Sequence, residues 1–241
     1  MITSRIYDLF IEPVIAFALP AFCIECEGRL ENGRKIICPD CYNKLPLLPK
    51  EYAGVLLKEI KNPFFDELYI KFQFTELCQK LIHHYKYQRK LTLAKYFAAS
   101  IVNLFDYDDI HMIVGIPLNP AKQRERGYNQ SALIVNELSG LLNIPADNSI
   151  VKRIKNTPSQ TKLNRKQRIE NMRNAFVCTI DLRGKNIVLL DDIITTGSTL
   201  NACAEVLKKQ GAAKVTAVAL ATPTDILQQN LEKDLSELNR F

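Results

Sequence analysis

The chain has 241 residues, 47% of them hydrophobic and 24% charged, with seven Cys and no Trp. Those fractions belong to a globular protein able to bury a core, and they exclude a disordered or fibrous chain. The net charge of +6 is concentrated: residues 122–173 hold eleven Lys and Arg against four Asp and Glu, and the rest of the chain holds 21 against 22. An anionic partner is expected at that segment, whether nucleic acid, lipid or a small phosphate compound.

Ile2, Ile6, Leu9, Phe10, Val14 and Phe17 recur at helical spacing, so residues 2–17 are expected to form a short amphipathic helix. It lacks the Lys/Arg-rich polar face of a membrane-surface helix. The apolar stretch 13–22 is too short to span a bilayer, follows Asp8 and Glu12, and has Phe22 where a cleavage site would need a small residue. No other stretch approaches 18 apolar residues, and a cytoplasmic protein with no membrane insertion is expected. A cysteine-rich segment covers 22–45, closed by Pro46 and Pro49, and a polar stretch leads through residues 72–74 into a helical run over 77–104. From there strand, loop and helix alternate. A strand at 112–116 leads into a basic loop at 117–127 and a helix at 130–142. A short strand near 150–154 precedes a second basic stretch, 155–173. A strand at 187–190 runs into 191–199, then into a helix at 200–210 that stops at Gly211, and a last strand covers 215–220. This order predicts an α/β fold, a mostly parallel sheet covered by helices on both faces. In the polar tail 224–241, Leu227, Leu231, Leu235 and Leu238 share one helical face. Three units are expected: residues 1–50 with the N-terminal helix and cysteine module, an α/β domain over 51–223, and a helical tail over 224–241.

The cysteine segment places Cys23 and Cys26, then Cys38 and Cys41, as two C-x-x-C knuckles eleven residues apart. Four thiolates at this spacing can converge on one tetrahedral ion, and a site with no open vertex is structural, not catalytic. Structural zinc in a small zinc-ribbon-like module is the expectation; an iron–sulfur cluster, or disulfides in a secreted protein, are the other readings of the pattern. Residues 23–41 carry four acids and three bases, so the module has no basic stripe for nucleic acid. Cys78, Cys178 and Cys203 fall in apolar-patterned segments and are expected to be core thiols.

The stretch from Ile187 to Leu200 carries the most chemistry. Four apolar residues, Ile187, Val188, Leu189 and Leu190, end in two carboxylates, Asp191 and Asp192. Thr195, Thr196, Gly197, Ser198 and Thr199 then lead into a helix. Free N–H groups and the positive end of the dipole at a helix N-terminus favour an anion, and Gly197 allows backbone to approach it. A bare phosphate would be repelled by two acids, so a ligand that also donates hydroxyls, as a ribose does, is expected. The blander reading is a capped helix after a core strand. Neither G-x-x-x-x-G-K-[ST] nor G-x-G-x-x-G is present.

This stretch resembles the phosphoribosyl pyrophosphate (PRPP) motif of type I phosphoribosyltransferases. The resemblance implies that Asp191 and Asp192 take the ribose hydroxyls, and that Thr195, Thr196, Gly197, Ser198 and Thr199 take the 5′-phosphate. Purine-salvage members carry an acid where Thr195 stands, which weighs against hypoxanthine or guanine as acceptor. The four-cysteine module, Tyr85-Lys86-Tyr87, the run from Ile116 to Leu118 and the run from Arg124 to Gln130 together resemble the ComF/ComFC competence-associated family. So do Gln160 to Arg165, Arg168, Asn171, Ala175 and Phe176. The resemblance covers about residues 20–223 and implies a type I phosphoribosyltransferase-like sheet with an N-terminal zinc module, in a protein linked to the uptake of transforming DNA.

The resemblance also divides the basic segment. Lys122, Arg124 and Arg126 would form the pyrophosphate loop, and Lys162, Arg165, Lys166 and Arg168 a loop that closes over the site. Arg124, Arg126, Lys162 and Arg165 are the expected catalytic cations, acting with Mg²⁺ on the departing pyrophosphate. Two functions stay open. One is a phosphoribosyltransferase that binds PRPP with Mg²⁺ and moves its phosphoribosyl group to an unidentified acceptor. The other is a non-catalytic module with a PRPP-like pocket that binds single-stranded DNA or a competence helicase, using Tyr85, Tyr87 and Tyr128 beside Lys86, Arg89 and Lys90. Tyrosines in helical segments are more often core residues, and His83 and His84, without acid or cysteine partners, are read as helix residues.

Overall fold

The computed structural model describes residues 21–30, 36–155 and 165–223, without the side chains of Arg165, Lys166 and Ile169. The expected helix 2–17, the tail 224–241 and Lys162 lie outside the described residues.

Four strands, β3 (Glu67–Gln73), β4 (Met112–Gly115), β7 (Asn186–Ile193) and β8 (Lys214–Thr222), form one all-parallel sheet in the order β3-β8-β7-β4. The alternation of strand and helix leads to this α/β architecture because parallel strands need crossovers, and the crossovers cover both faces. The two central strands are therefore apolar on both sides. Ile187 and Leu189 of β7, with Val215, Ala217 and Ala219 of β8, face one core. Val188, Leu190, Val218 and Leu220 face the other.

On the first face lie helix α2 (Lys50–Glu59) and helix α8 (Ser198–Lys209), the latter through Leu200, Cys203, Ala204 and Leu207. On the second lie α3 (Glu76–Tyr87), α4 (Leu93–Ile101) and α6 (Gln130–Leu142). Tyr85 and Phe97 meet there edge to face, their ring centroids 5.5 Å apart. Each such buried aromatic contributes about 1.5–3 kcal/mol over an exposed one. Cys78, Cys178 and Cys203 are buried thiols, as expected.

The N-terminal module consists of the two-residue strands β1 (Ala21–Phe22) and β2 (Arg29–Leu30), which pair antiparallel, and the short helix α1 (Pro39–Asn43). Leu30, Ile36, Ile37 and Leu45 pack into the same core as Phe72, Cys78 and Leu81, so the module rests on the second face of the sheet.

The structure corrects four local expectations. The run 77–104 is two helices, because the chain turns between Gln88 and Thr92, with Arg89 in the left-handed region at φ +53°. The basic segment 117–127 is not a loop: it contains α5 (Pro120–Arg126). Strand β5 (Val151–Arg153) leaves the parallel sheet and pairs antiparallel with β6 (Phe176–Cys178). Between these two strands, part of the second basic stretch is helix α7 (Arg165–Met172). Strand β3 was not anticipated from the polar residues that alternate along it. No helix among the described residues is long and apolar enough to cross a membrane.

Candidate functional site

Loops from all four parallel strands meet at their carboxyl ends around a cleft of about 380 Å³. Phe74 follows β3, Ile116, Pro117, Leu118 and Asn119 follow β4, Asp191 to Thr195 end β7, and Pro223 follows β8. Open parallel sheets receive ligands at this edge.

Two asparagine caps set the segment after β4. Asn119 accepts the Ala121 N–H at 2.9 Å, with Pro120 opening α5. Asn129 accepts the Ser131 N–H at 3.1 Å and donates its Nδ2 to Ile116 O at 2.9 Å, tying the start of α6 to the strand end. Helix periodicity then sorts the cations. Lys122 and Arg126, four residues apart, share a face and line the cleft. Arg124 lies on the other side of the helix, exposed and away from the cleft. Arg126 is buried, donates from Nη2 to Tyr87 Oη at 3.0 Å, and stacks its guanidinium 4.8 Å from the centre of that ring. Burial, with the Arg126 charge beside it, holds the Lys122 ammonium below its usual range.

At the end of β7, Asp191 accepts the Asp192 N–H at 2.9 Å and the Ser131 hydroxyl at 3.3 Å. Burial, with the Asp192 carboxylate next to it, pushes the Asp191 carboxyl up to about 7. Asp192 forms an ion pair with Lys86 of α3, whose Nζ lies 2.5 Å from Oδ2. Beyond them the chain turns into α8. Residues Thr195 to Leu200 enclose a recess of about 50 Å³ at the helix N-terminus. The Thr196 and Ser198 hydroxyls lie 3.0 Å apart, and Thr195 Oγ1 accepts from Arg168 Nη1 at 3.0 Å. Backbone N–H groups and hydroxyls around a recess at the positive end of a twelve-residue helix can hold a phosphate.

Gly197 sits at φ +69°, and a Cβ there would overlap Ile60 Cδ1. Gly197→Ala is therefore expected to lose about 2–5 kcal/mol of unfolding free energy in urea titration, from left-handed strain plus overpacking. Gly184→Ala, at φ +73° with nothing within 4 Å, isolates the strain and should lose only about 1–2 kcal/mol. Equal losses would show that the Ile60 contact contributes nothing.

The cleft holds five cations, Lys86, Lys122, Arg126, Arg153 and Arg168, against the two carboxylates. Gln130 Nε2 and Arg126 Nε, both buried, find no acceptor among the described residues. Of the cations expected from the sequence, Arg126 reaches the cleft and Arg124 does not; Arg165 opens α7, and its side chain is not described. Sequence reading missed Gln130, Ser131 and Arg153 as cleft residues and treated Lys86 only as a neighbour of tyrosines. Helical phase alone does not reveal which distant element a helix meets. Tyr85 is buried, its hydroxyl donating to Gln130 O at 2.8 Å, so it offers no face for stacking; Tyr128 is half-buried and its hydroxyl donates to Tyr85 O.

The Sγ atoms of Cys23, Cys26, Cys38 and Cys41 all lie within 4.8 Å of one another, and those of Cys26 and Cys38 are 3.8 Å apart. A ZnS₄ tetrahedron with bonds of about 2.3 Å has edges of about 3.8 Å, so the donor set fits. Backbone N–H groups support the sulfurs: Glu25 and Cys38 donate to Cys23 Sγ at 3.5 and 3.4 Å, and Cys41 donates to Cys38 Sγ at 3.4 Å.

Comparison with known proteins agrees with this geometry. The phosphoribosyl transferase domain family matches residues 129–236. With the parallel sheet and the cleft at its carboxyl edge, that match defines a protein with a type I phosphoribosyltransferase fold. The chain is 31% identical over 221 residues to Competence protein F of Haemophilus influenzae, covering 83% of this chain and 96% of that protein. It is 29% identical over 209 residues to the DNA utilization protein YhgH of Escherichia coli K12, covering 80% and 86%. Competence protein ComFC of Bacillus subtilis is 25% identical over 206 residues, covering 79% of each. The chain belongs to the ComF/ComFC family.

Proposed function

We propose that the cleft binds PRPP together with Mg²⁺ and transfers its 5-phosphoribosyl group to an acceptor. The observation that carries this reading is the single cleft in which a helix-terminal recess, two adjacent carboxylates and a cationic wall follow one another. The 5′-phosphate would occupy the recess at Thr195, Thr196, Gly197, Ser198 and Thr199. The ribose hydroxyls would donate to Asp191 and Asp192. The pyrophosphate would lie toward Lys122 and Arg126, with Lys162 and Arg165 as further proposed cations. Mg²⁺ would enter with PRPP as part of the substrate and would add positive charge against the departing pyrophosphate. As the C1–O bond breaks and the acceptor bonds to C1, the electron pair leaves with pyrophosphate, where fixed cations stabilise it. Direct displacement needs no protein nucleophile. At the Cys23, Cys26, Cys38 and Cys41 cluster a zinc ion would supply a crosslink only.

Addition of PRPP with Mg²⁺ is expected to raise the melting temperature, by about 2.7 kcal/mol of stabilisation at a hundredfold excess over Kd. A screen of bases and amines for pyrophosphate release then separates enzyme from binder: no release with any acceptor, alongside a clear thermal rise, leaves a PRPP-binding module. No thermal rise removes the reading altogether.

The names of the relatives support a link to DNA uptake, and one observation favours direct contact with a single strand. Phe22 is exposed, at 57%, in a groove that Arg89 and Lys90 also line. Base stacking there predicts salt-sensitive retention of labelled oligonucleotide that weakens on Phe22→Ala. Absence of retention at low salt excludes it.

A further inference from the structure

We propose that Lys86 is a positioning residue for the ribose: its ammonium holds Asp192 by one carboxylate oxygen, so that the other is turned toward the diol of a bound ribose phosphate. This rests on the PRPP reading of the cleft and adds a residue from outside the basic segment.

Three consecutive residues of α3 make three different contacts, as a helical rotation of about 100° per residue requires. Tyr85 points into the core, where its hydroxyl donates to Gln130 O and its carbonyl accepts from the Tyr128 hydroxyl. Tyr87 accepts from Arg126 Nη2 and lies against that guanidinium. Between them Lys86 reaches Asp192 Oδ2 at 2.5 Å, both side chains nearly excluded from solvent, at 16% and 12% exposure. The two tyrosines anchor α3 to the segment between α5 and α6, and so fix where the ammonium ends.

Two adjacent carboxylates, Asp192 buried and Asp191 half-buried, repel each other and any phosphate beside them, and compensation of one lets both face an anionic ligand. Lys86 supplies that charge at contact distance. Its ion pair also restricts the Asp192 side chain to one orientation before ligand arrives, which lowers the ordering cost of binding. The cation therefore acts on the sugar through Asp192. Lys122 and Arg126 line the same cleft, where a pyrophosphate would meet them directly.

The test compares three probes by calorimetry: PRPP with Mg²⁺, ribose 5-phosphate, and pyrophosphate with Mg²⁺. In Lys86→Met, affinity for both ribose probes is expected to fall about tenfold or more, while affinity for pyrophosphate changes less than threefold. In the Asp192→Asn background the same Lys86→Met change should cost the ribose probes less than threefold, because its path to the sugar is already cut. Lys86→Arg, which keeps the charge, should recover most of the loss. Equal losses for ribose and pyrophosphate probes would make Lys86 a general phosphate cation and overturn the proposal. So would unchanged ribose affinity in Lys86→Met. Failure of the parent protein to bind either ribose probe would instead remove the PRPP reading itself. Near-ultraviolet circular dichroism of each variant identifies any that fails to fold, and Lys86→Gln then takes the place of Lys86→Met.

Discussion

Chelation of the ion at Cys23, Cys26, Cys38 and Cys41 is expected to unfold the N-terminal module and lower the melting temperature of the whole chain by about 10 °C. Its own secondary structure contributes little to holding it. Its strands are two residues long and α1 is five residues long, and a lone hairpin of that size is not stable in water. Metal binding in small zinc modules provides an apparent 10–16 kcal/mol, roughly the free energy of folding such a unit. Once released, Leu30, Ile36, Ile37 and Leu45 leave the core they share with Phe72 and Leu81. A loss of about 3–5 kcal/mol corresponds to roughly 10 °C for a chain of this length. Metal analysis should give one Zn per chain, and Cys26→Ser should reproduce the effect of the chelator. Thiolates are the ligands, so acid should release the ion as protons compete for sulfur. Iron with visible absorbance, or a melting temperature indifferent to chelation, would overturn the assignment.

The parts of the fold legible in the sequence are those whose signal is local. The C-x-x-C knuckles, the apolar run ending at Asp191 and Asp192, and the hydroxyl-rich turn before α8 are each short, contiguous signals, the longest running from Cys23 to Cys41, and each stands where local pattern predicts. Helix 130–142 is found with both ends as expected, because Asn129 caps it and Asn143 closes it at φ +55°. What depends on long-range pairing was not legible. Strand β3 is the exception: Glu67 to Gln73 alternate polar and apolar residues, a local strand pattern that a reading as a mixed polar stretch passed over. Strand β5 reads as a further sheet strand, yet nothing in three residues says that β6 is its partner. The break after α3 turns on Arg89 at positive φ, where neither Gly nor Pro marks it. The charge map pointed to residues 122–173, but Lys86 contacts Asp192 from 106 positions away, and only packing brings them together. Within the basic segment, composition treats Arg124 and Arg126 alike, whereas the helix turns one outward and one into the cleft.

Asp191→Asn is expected to make the protein more stable at pH 8 and at the same time to weaken its binding of PRPP. In the folded chain the Asp191 carboxyl titrates at about 7, against an ordinary 3.8, because burial and Asp192 disfavour its charge. A raised carboxyl pKa favours the fold fully below pH 4 and loses that contribution as pH rises toward 7. Above pH 7 the parent therefore carries a poorly solvated charge that opposes folding. Asparagine keeps the shape and removes the charge. The parent's unfolding free energy should decline between about pH 4 and pH 7, and that decline should flatten in the variant, with a melting temperature several degrees higher at pH 8. Asp192→Asn should do the reverse, because it leaves the Lys86 ammonium in the cleft without its carboxylate. Both variants should lose ribose affinity, by about 1.5–3 kcal/mol for each charged acceptor removed from the diol, and the double variant should lose about a hundredfold or more. Stabilisation by Asp191→Asn with PRPP affinity intact would show that the buried carboxylate is a structural burden unrelated to the sugar. If Asp191→Asn destabilises the protein at pH 8, burial is not what sets its titration. Opposite stability changes with a shared loss of binding would mean that the chain keeps a strained pair of acids because the ligand requires them, and that the fold alone would be better served by neutral residues there.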